Sequence, residues 1–300
     1  MTEVPRPLRL GIDIGGTKVA LRAEQGTHPV AETAFAWHPR RSADHDLAQL
    51  TLHVDELRTR VGAPFTAVGV AMPGAVSPDG RVVAWPGRPE WAGTDLGAAL
   101  RGLFPGARVA WADDGDLGAL AEARAAHRDD LLYLGVGTGV GGGLVRDGAL
   151  CPGPARGSFE IGHTVVALDG PRCTCGRRGC LQALASGPAT LAHAARLRGS
   201  EVAFDALGPA WREGLPWATG ALRRAARALA AAAVGVQEMF HTRLVVVGGG
   251  FAHGIPELHV LVDAELTDLT RPGVPRLEVR GAALGGLSSL AGALELARTL

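Results

Sequence analysis

The sequence predicts a two-lobed α/β protein, on three observations. Residues 10–21, LGIDIGGTKVAL, and 134–145, LGVGTGVGGGLV, share one pattern of apolar strand, glycine turn and apolar strand, which implies two lobes of related design. Strand-like runs alternate with helical spacing in the first half, while the chain after residue 180 reads as mainly helical. No low-complexity linker separates the halves, so a hinge is expected near residue 115. Residues 1–115 would form one lobe and 116–282 the other, with a last helix at about 283–300 returning to the first.

The elements follow in order. Gly15 and Gly16 lie between two alternating runs, so a hairpin opens the fold. Leu47, Leu50, Val54, Leu57 and Val61 recur at helical spacing over residues 43–61. TAVGVAMPGAV, residues 66–76, is a buried strand entering a loop, and the turn Ser77-Pro78-Asp79-Gly80 introduces a short strand at 81–84. Near Val109 a brief strand delivers WADDGD into an alanine-rich helix at 117–127, with Asp113 to Asp116 as its acidic approach. The second glycine turn leads through a strand to an Asp-Gly turn at 147–148. RLVVVGGGF, residues 243–251, interrupts the later helices, and the chain ends in a helix at about 282–299.

With 300 residues, 47% of them apolar, the chain can bury a sizeable core. Thirty basic and thirty acidic residues cancel, so no overall field draws a polyanion and nucleic acid is not an expected partner. The start, MTEVPRPLRL, lacks the apolar stretch of a leader. The longest apolar run, residues 228–236, falls short of the roughly 20 residues that cross a bilayer, so the chain reads as cytoplasmic. Among the basic residues 29 are Arg and only Lys18 is Lys.

Phosphate groups need several N–H donors at close range, and glycines let the backbone supply them. Three glycine segments follow apolar strands: Gly15, Gly16 and Thr17; Gly137, Thr138 and Gly139 within 135–143; and Gly248, Gly249 and Gly250. Each alone also fits a plain tight turn; together they point to a nucleotide. Gly137, Gly139 and Gly142 match GxGxxG, but a strand follows them where the dinucleotide fingerprint requires a helix. No Walker A loop is present. Asp13, beside the first turn, suits either Mg²⁺ or a bracing hydrogen bond. Lys18 suits a phosphate, with chance survival as its rival. For Asp114 the plainer role is a helix cap.

His163 is followed by Cys173, Cys175 and Cys180 in GHTVVALDGPRCTCGRRGC. One imidazole and three thiolates complete a tetrahedral Zn²⁺ shell, which leaves no open position and makes the metal structural. Cys151 stands apart as an ordinary reduced thiol.

With these motifs the chain resembles the ROK family of sugar kinases and repressors: GIDIGGTK, AMPGAV, DDGDLGALAE, LGVGTGVGGG, EIGH, CTCGRRGC and LVVVGGG occur in the family's order. The resemblance implies an actin-like, ribonuclease H-like ATPase fold of two lobes with the sugar in the cleft. It also implies that the DIGGT and GTGVGGG segments hold ATP, that Asp114 is the catalytic base, and that Glu160 and His163 bind sugar hydroxyls while His163 also binds zinc. Gly74 of AMPGAV, Asp113 and Gln182 join the sugar contacts, and a homodimer is implied as well. Zinc on one imidazole nitrogen would fix the ring and leave the other for a hydroxyl.

Three positions depart from the family's pattern: Asp113 replaces an Asn, Gln182 replaces a Glu, and Gly87 follows Pro86 in WPGRPEW where an Asn is usual. A carboxylate at 113 only accepts hydrogen bonds and adds charge beside Asp114, which favours a cationic acceptor. The expected substrate is therefore an amino-hexose phosphorylated at its 6-hydroxyl, with kanosamine (3-amino-3-deoxyglucose) foremost, as in ROK kinases of actinobacterial antibiotic pathways. Glucose and a seven-carbon cyclitol are the alternative acceptors, and Asp113 would then only cap the helix. Of other classes, a repressor would carry an N-terminal winged helix, for which the early phosphate motif leaves no room. A sensor without catalysis would bind sugar but consume no ATP.

Overall fold

Leu8, Leu10, Ile12 and Ile14 fall on alternate positions of β1 (Leu8–Ile14) and are all buried, as the sequence pattern requires. The computed structural model describes residues 6–38, 42–153 and 156–300. The leader reading rests partly on residues 1–5, which lie outside the described residues. The chain divides into two compact units: Met1–Ala121 with Pro152–Ser158 and Ser289–Leu300, and Glu122–Cys151 with Phe159–Ser288.

In the first unit β1, β2 (Lys18–Gln25) and β3 (His28–Ala36) form an antiparallel meander. Helix α1 (Ala43–Val61) carries the chain to β4 (Ala67–Met72), which is buried throughout. A small ribbon of β5 (Ala75–Val76) and β6 (Val82–Ala84) precedes α2 (Leu96–Leu103), β7 (Arg108–Asp113) and α3 (Asp114–Ala125). The sheet order is β3-β2-β1-β4-β7, with β1, β4 and β7 parallel.

The second unit repeats this design. Strands β8 (Leu131–Val136), β9 (Val140–Arg146) and β10 (Ala149–Cys151) form the meander. Helices α4 (Leu181–Ala185), α5 (Gly187–Arg198), α6 (Phe204–Arg212) and α7 (Pro216–Phe240) then lead to β11 (Leu244–Gly248). Helices α8 (Gly250–Gly254) and α9 (Leu258–Glu265) precede β12 (Glu278–Gly281). The order β10-β9-β8-β11-β12, with β8, β11 and β12 parallel, matches the first sheet strand for strand. The Asp-Gly turn between β9 and β10 has positive φ at both Asp147 (51°) and Gly148 (74°), as a two-residue hairpin demands.

The final helix α10 (Ser288–Thr299) belongs to the first unit. Gly11 and Gly69 are partners in the sheet, and together they let α10 lie directly on the strand backbones. A Cβ on Gly69 would stand 1.9 Å from the Ala293 carbonyl oxygen, and one on Gly11 2.7 Å from Leu294 Cγ.

Four expectations about elements are corrected. The helix read as starting at Leu117 begins at Asp114, because Asp113 caps it, and it ends at Ala125. The last helix starts at Ser288 rather than about 282, since Gly285 and Gly286 form a 3-10 turn first. The opening hairpin is a three-stranded meander, and β12 lies in a stretch read as helical. Both unread strands are largely exposed, so their patterns carried little apolar signal. Among the described residues no helix is long and apolar enough to cross a membrane.

Candidate functional site

In the first unit the predicted residues converge at one end of the sheet. Register places Asp13 beside Ala71, Ala71 beside Ala112, and Met72 beside Asp113, so Asp13 on β1 and Asp113 on β7 lie at the same end of parallel strands, with β4 between them. Ligands of open α/β sheets bind at such carboxyl ends. Gly15 N–H donates to the Lys18 carbonyl at 2.9 Å and closes the glycine turn there. Gly74 lies farther along, at the β5–β6 ribbon, where an added Cβ would come 2.9 Å from the Ala84 carbonyl oxygen.

The two adjacent aspartates have different local roles. Asp113 Oδ1 accepts a hydrogen bond from Gly115 N–H at 3.0 Å, the N-cap arrangement. The plainer reading of Asp113 is thus realised in the structure, whichever ligand it also meets. Asp114 is the first residue of α3, where the helix dipole favours a carboxylate. Its carbonyl oxygen accepts from Ser289 Oγ at 3.1 Å.

Asp13 is electrostatically loaded. Burial, and then the charge of Asp114, push its carboxyl up to about 7, while Lys18 pulls the other way. A divalent cation would relieve both causes, so the donor set fits Mg²⁺.

In the second unit the other two glycine segments share one sheet end, since Gly248 pairs with Gly135. Gly137 N–H donates to the Gly139 carbonyl and Gly187 N–H to that of Gly137, both at 2.9 Å. Gly249 has φ 89°, and a Cβ there would lie 2.6 Å from the nitrogen of Val136, so only glycine fits. A cavity of about 410 Å³ opens beside Gly248 and Gly249, with His253 and His259 in its wall.

Gln182 takes a position the sequence did not reveal. Its Oε1 accepts from Val140 N–H at 3.2 Å and lies 2.7 Å from where a Gly139 Cβ would be. The residue two beyond the last cysteine thereby ties the metal loop to the second glycine turn.

EIGH docks on the same meander: Gly162 approaches β9 so closely that a Cβ would lie 1.8 Å from the Val140 carbonyl oxygen. This contact fixes the backbone between exposed Glu160 and half-buried His163. His163 turns Nδ1 towards Cys173 Sγ at 3.7 Å, and Cys175 Sγ lies 3.6 Å from Cys180 Sγ. All four donor atoms fall within 4.8 Å of one another. A tetrahedron of Zn–S bonds has edges of about 3.8 Å, so these residues fit Zn²⁺ with no open position. Gly176 (φ 91°) and Gly179 (φ 73°) make the turns that fold the cysteines together. Arg177 Nη1 donates to the His163 carbonyl at 3.2 Å, closing the loop over the histidine.

Glu122 of α3 was not singled out in the sequence. Its buried carboxylate accepts from Ala283 N–H, Leu284 N–H and Ser288 Oγ at 2.7–3.1 Å and anchors the segment after β12. Only its place in an apolar helix could have marked it.

Comparison with known proteins agrees with this geometry. A kanosamine kinase of Amycolatopsis mediterranei (strain S699) is 61% identical over 291 residues, covering 97% of this chain and 96% of that protein. A glucokinase of Thermotoga maritima is 31% identical over 272 residues, covering 83% and 84%. Among solved structures, the ROK hexokinase from Thermus thermophilus matches with a TM-score of 0.86 at 28% identity, over 97% of this chain and 98% of that one. A ROK family glucokinase from Streptomyces griseus, in complex with glucose and AMPPNP, matches with a TM-score of 0.78 at 27% identity, over 98% and 100%. The duplicated sheet is thus the actin-like, ribonuclease H-like ATPase arrangement of those kinases. The profile of the ROK family matches residues 9–300, and the chain belongs to that family.

Proposed function

We propose that this ATP-dependent sugar kinase phosphorylates the 6-hydroxyl of kanosamine. The carrying observation is the 61% identity, along 97% of the chain, to a protein named a kanosamine kinase, against 31% to a glucokinase. Asp113 supports it chemically. Its carboxylate, aimed by the cap bond to Gly115, would meet the 3-ammonium of the sugar in a charge-assisted bond about twice as strong as a neutral one.

In this reading Asp114 takes the proton of the acceptor hydroxyl as its oxygen attacks the γ-phosphorus; the bond to the β,γ-bridging oxygen breaks and ADP leaves. The segments Gly15 to Thr17, Gly137 to Gly139 and Gly248 to Gly250 hold the phosphates through backbone N–H groups other than those of Gly15 and Gly137, which close their own turns, with Lys18 beside the first turn. Asp13 would hold Mg²⁺, which when bound neutralises phosphate charge. Glu160 and His163 bind sugar hydroxyls, His163 through Nε2 because Nδ1 faces the thiols. Gly74 and Gln182 complete the sugar contacts. Family resemblance also supports a homodimer, which sedimentation velocity would check.

The test compares kcat/KM for kanosamine and glucose in wild type and Asp113→Asn. Asn caps a helix as well as Asp does, so the variant keeps α3 intact. Wild type is expected to prefer kanosamine, and the variant to lose roughly tenfold or more of that preference. A wild-type preference for glucose, or an unchanged ratio in the variant, defeats the proposal.

A further inference from the structure

Three successive carbonyls of the first glycine turn are tied to two side chains' worth of structure outside it. Trp37 Nε1 donates to the Gly15 carbonyl at 2.7 Å, Arg88 Nε to that of Gly16 at 3.3 Å, and Trp37 N–H to that of Thr17 at 3.1 Å. A trans peptide is planar, and its N–H points opposite to its C=O. Holding the Gly15 and Gly16 carbonyls towards Trp37 and Arg88 therefore turns the N–H groups of Gly16 and Thr17 the other way. A Cβ built on Gly16 would meet no protein atom within 4 Å, so the turn is open at this residue.

The two side chains are themselves fixed. The Arg88 guanidinium stands 4.8 Å from the Trp37 ring centroid, stacked as a cation on an aromatic face. Arg88 Nη1 pairs with Asp46 Oδ2 at 2.6 Å, and the same oxygen accepts from Trp91 Nε1 at 2.8 Å. Arg88 is only 4% exposed and Asp46 fully buried. Glu90 Oε1 adds a second carboxylate 3.6 Å from Nη1. A buried ion pair costs desolvation and seldom adds net stability, while it does impose one geometry. Here the imposed geometry is that of the glycine turn: Gly87, next to Arg88, is also packed over it, with its Cβ position 3.9 Å from Gly16 Cα.

We propose that Trp37 and Arg88, the latter braced by Asp46, are positioning residues that orient the Gly15–Thr17 peptides so their N–H groups face the nucleotide phosphates. The proposal rests on the reading of that turn as a phosphate loop. It also gives WPGRPEW a role on the nucleotide side, whereas its missing Asn had pointed to the sugar.

Trp37→Phe removes one donor and keeps the stacked ring; Arg88→Lys keeps the charge for Asp46 and loses the Nε donor and the planar stack. Each is expected to raise both KM and Kd for Mg·ATP about three- to tenfold, the range of one hydrogen bond, with the KM for the sugar within about twofold of wild type. A purely structural knot would instead lower Tm and leave nucleotide affinity unchanged in both folded variants, which overturns the proposal. Gly16→Ala separates this failure from that of the loop reading. If Gly16→Ala weakens Mg·ATP while the other two variants do not, only the positioning role falls. If Gly16→Ala also leaves nucleotide binding unchanged, the phosphate loop is misassigned and the positioning role falls with it.

Discussion

Asp13 and Asp114 are coupled: after burial, the Asp114 charge is the largest influence raising the Asp13 carboxyl from the usual 3.8 to about 7. The folded protein therefore holds a proton that the unfolded chain releases between about pH 4 and 7. Stability from this group is present in full below pH 3.8 and is lost as pH rises through 7. Binding of Mg·nucleotide needs the carboxylate, so its affinity should fall as pH drops from 8 to 6. In Asp114→Asn the midpoint of that fall should move to lower pH. Calorimetry with a non-hydrolysable ATP analogue checks both; an unmoved midpoint in the variant would show that Asp114 does not act on Asp13.

Removing the proposed base should separate chemistry from binding. Asp114→Asn keeps the shape of the side chain at the start of α3 but cannot take a proton. Turnover should fall by about 10² to 10⁴, with Kd for sugar and nucleotide changed by less than about tenfold. Rapid-quench and equilibrium binding measurements on the same preparation decide it.

The metal loop should behave as a structural zinc site. Purified protein is expected to carry one zinc per chain, and Cys175→Ser to lose it, because three remaining donors cannot close the tetrahedron. Tm should drop, and the KM for the sugar should rise as His163 loses its anchor. Elemental analysis of folded wild type without zinc would refute the assignment.

Gln182 offers a contrast between its expected role and its place. Its Oε1 binds the Val140 N–H behind the second glycine turn. In Gln182→Ala that N–H loses its acceptor, a loss worth about 1–3 kcal/mol if no water replaces it. A rise in the KM for ATP larger than that for the sugar would mark Gln182 as a brace of the turn; the reverse would mark it as a sugar contact.

What the sequence determined by itself is what depends on near neighbours in the chain. The zinc ligands lie within residues 163–180, and the first two glycine turns each sit between their own two strands, so spacing and residue type sufficed for both. Helix α1 was readable to its ends because Leu50, Val54 and Leu57 bury one face. Tertiary structure decided whatever requires distant backbones to meet. Trp37 and Arg88 reach the first glycine turn across 22 and 72 residues, and nothing in their own segments marks a carbonyl oxygen as their target. The glycine at 69 reads as a gap in a buried strand until α10 arrives from more than 200 residues away to occupy it. A side chain's type and neighbours reveal what it could bind; which backbone it does bind is set only when packing brings the two together.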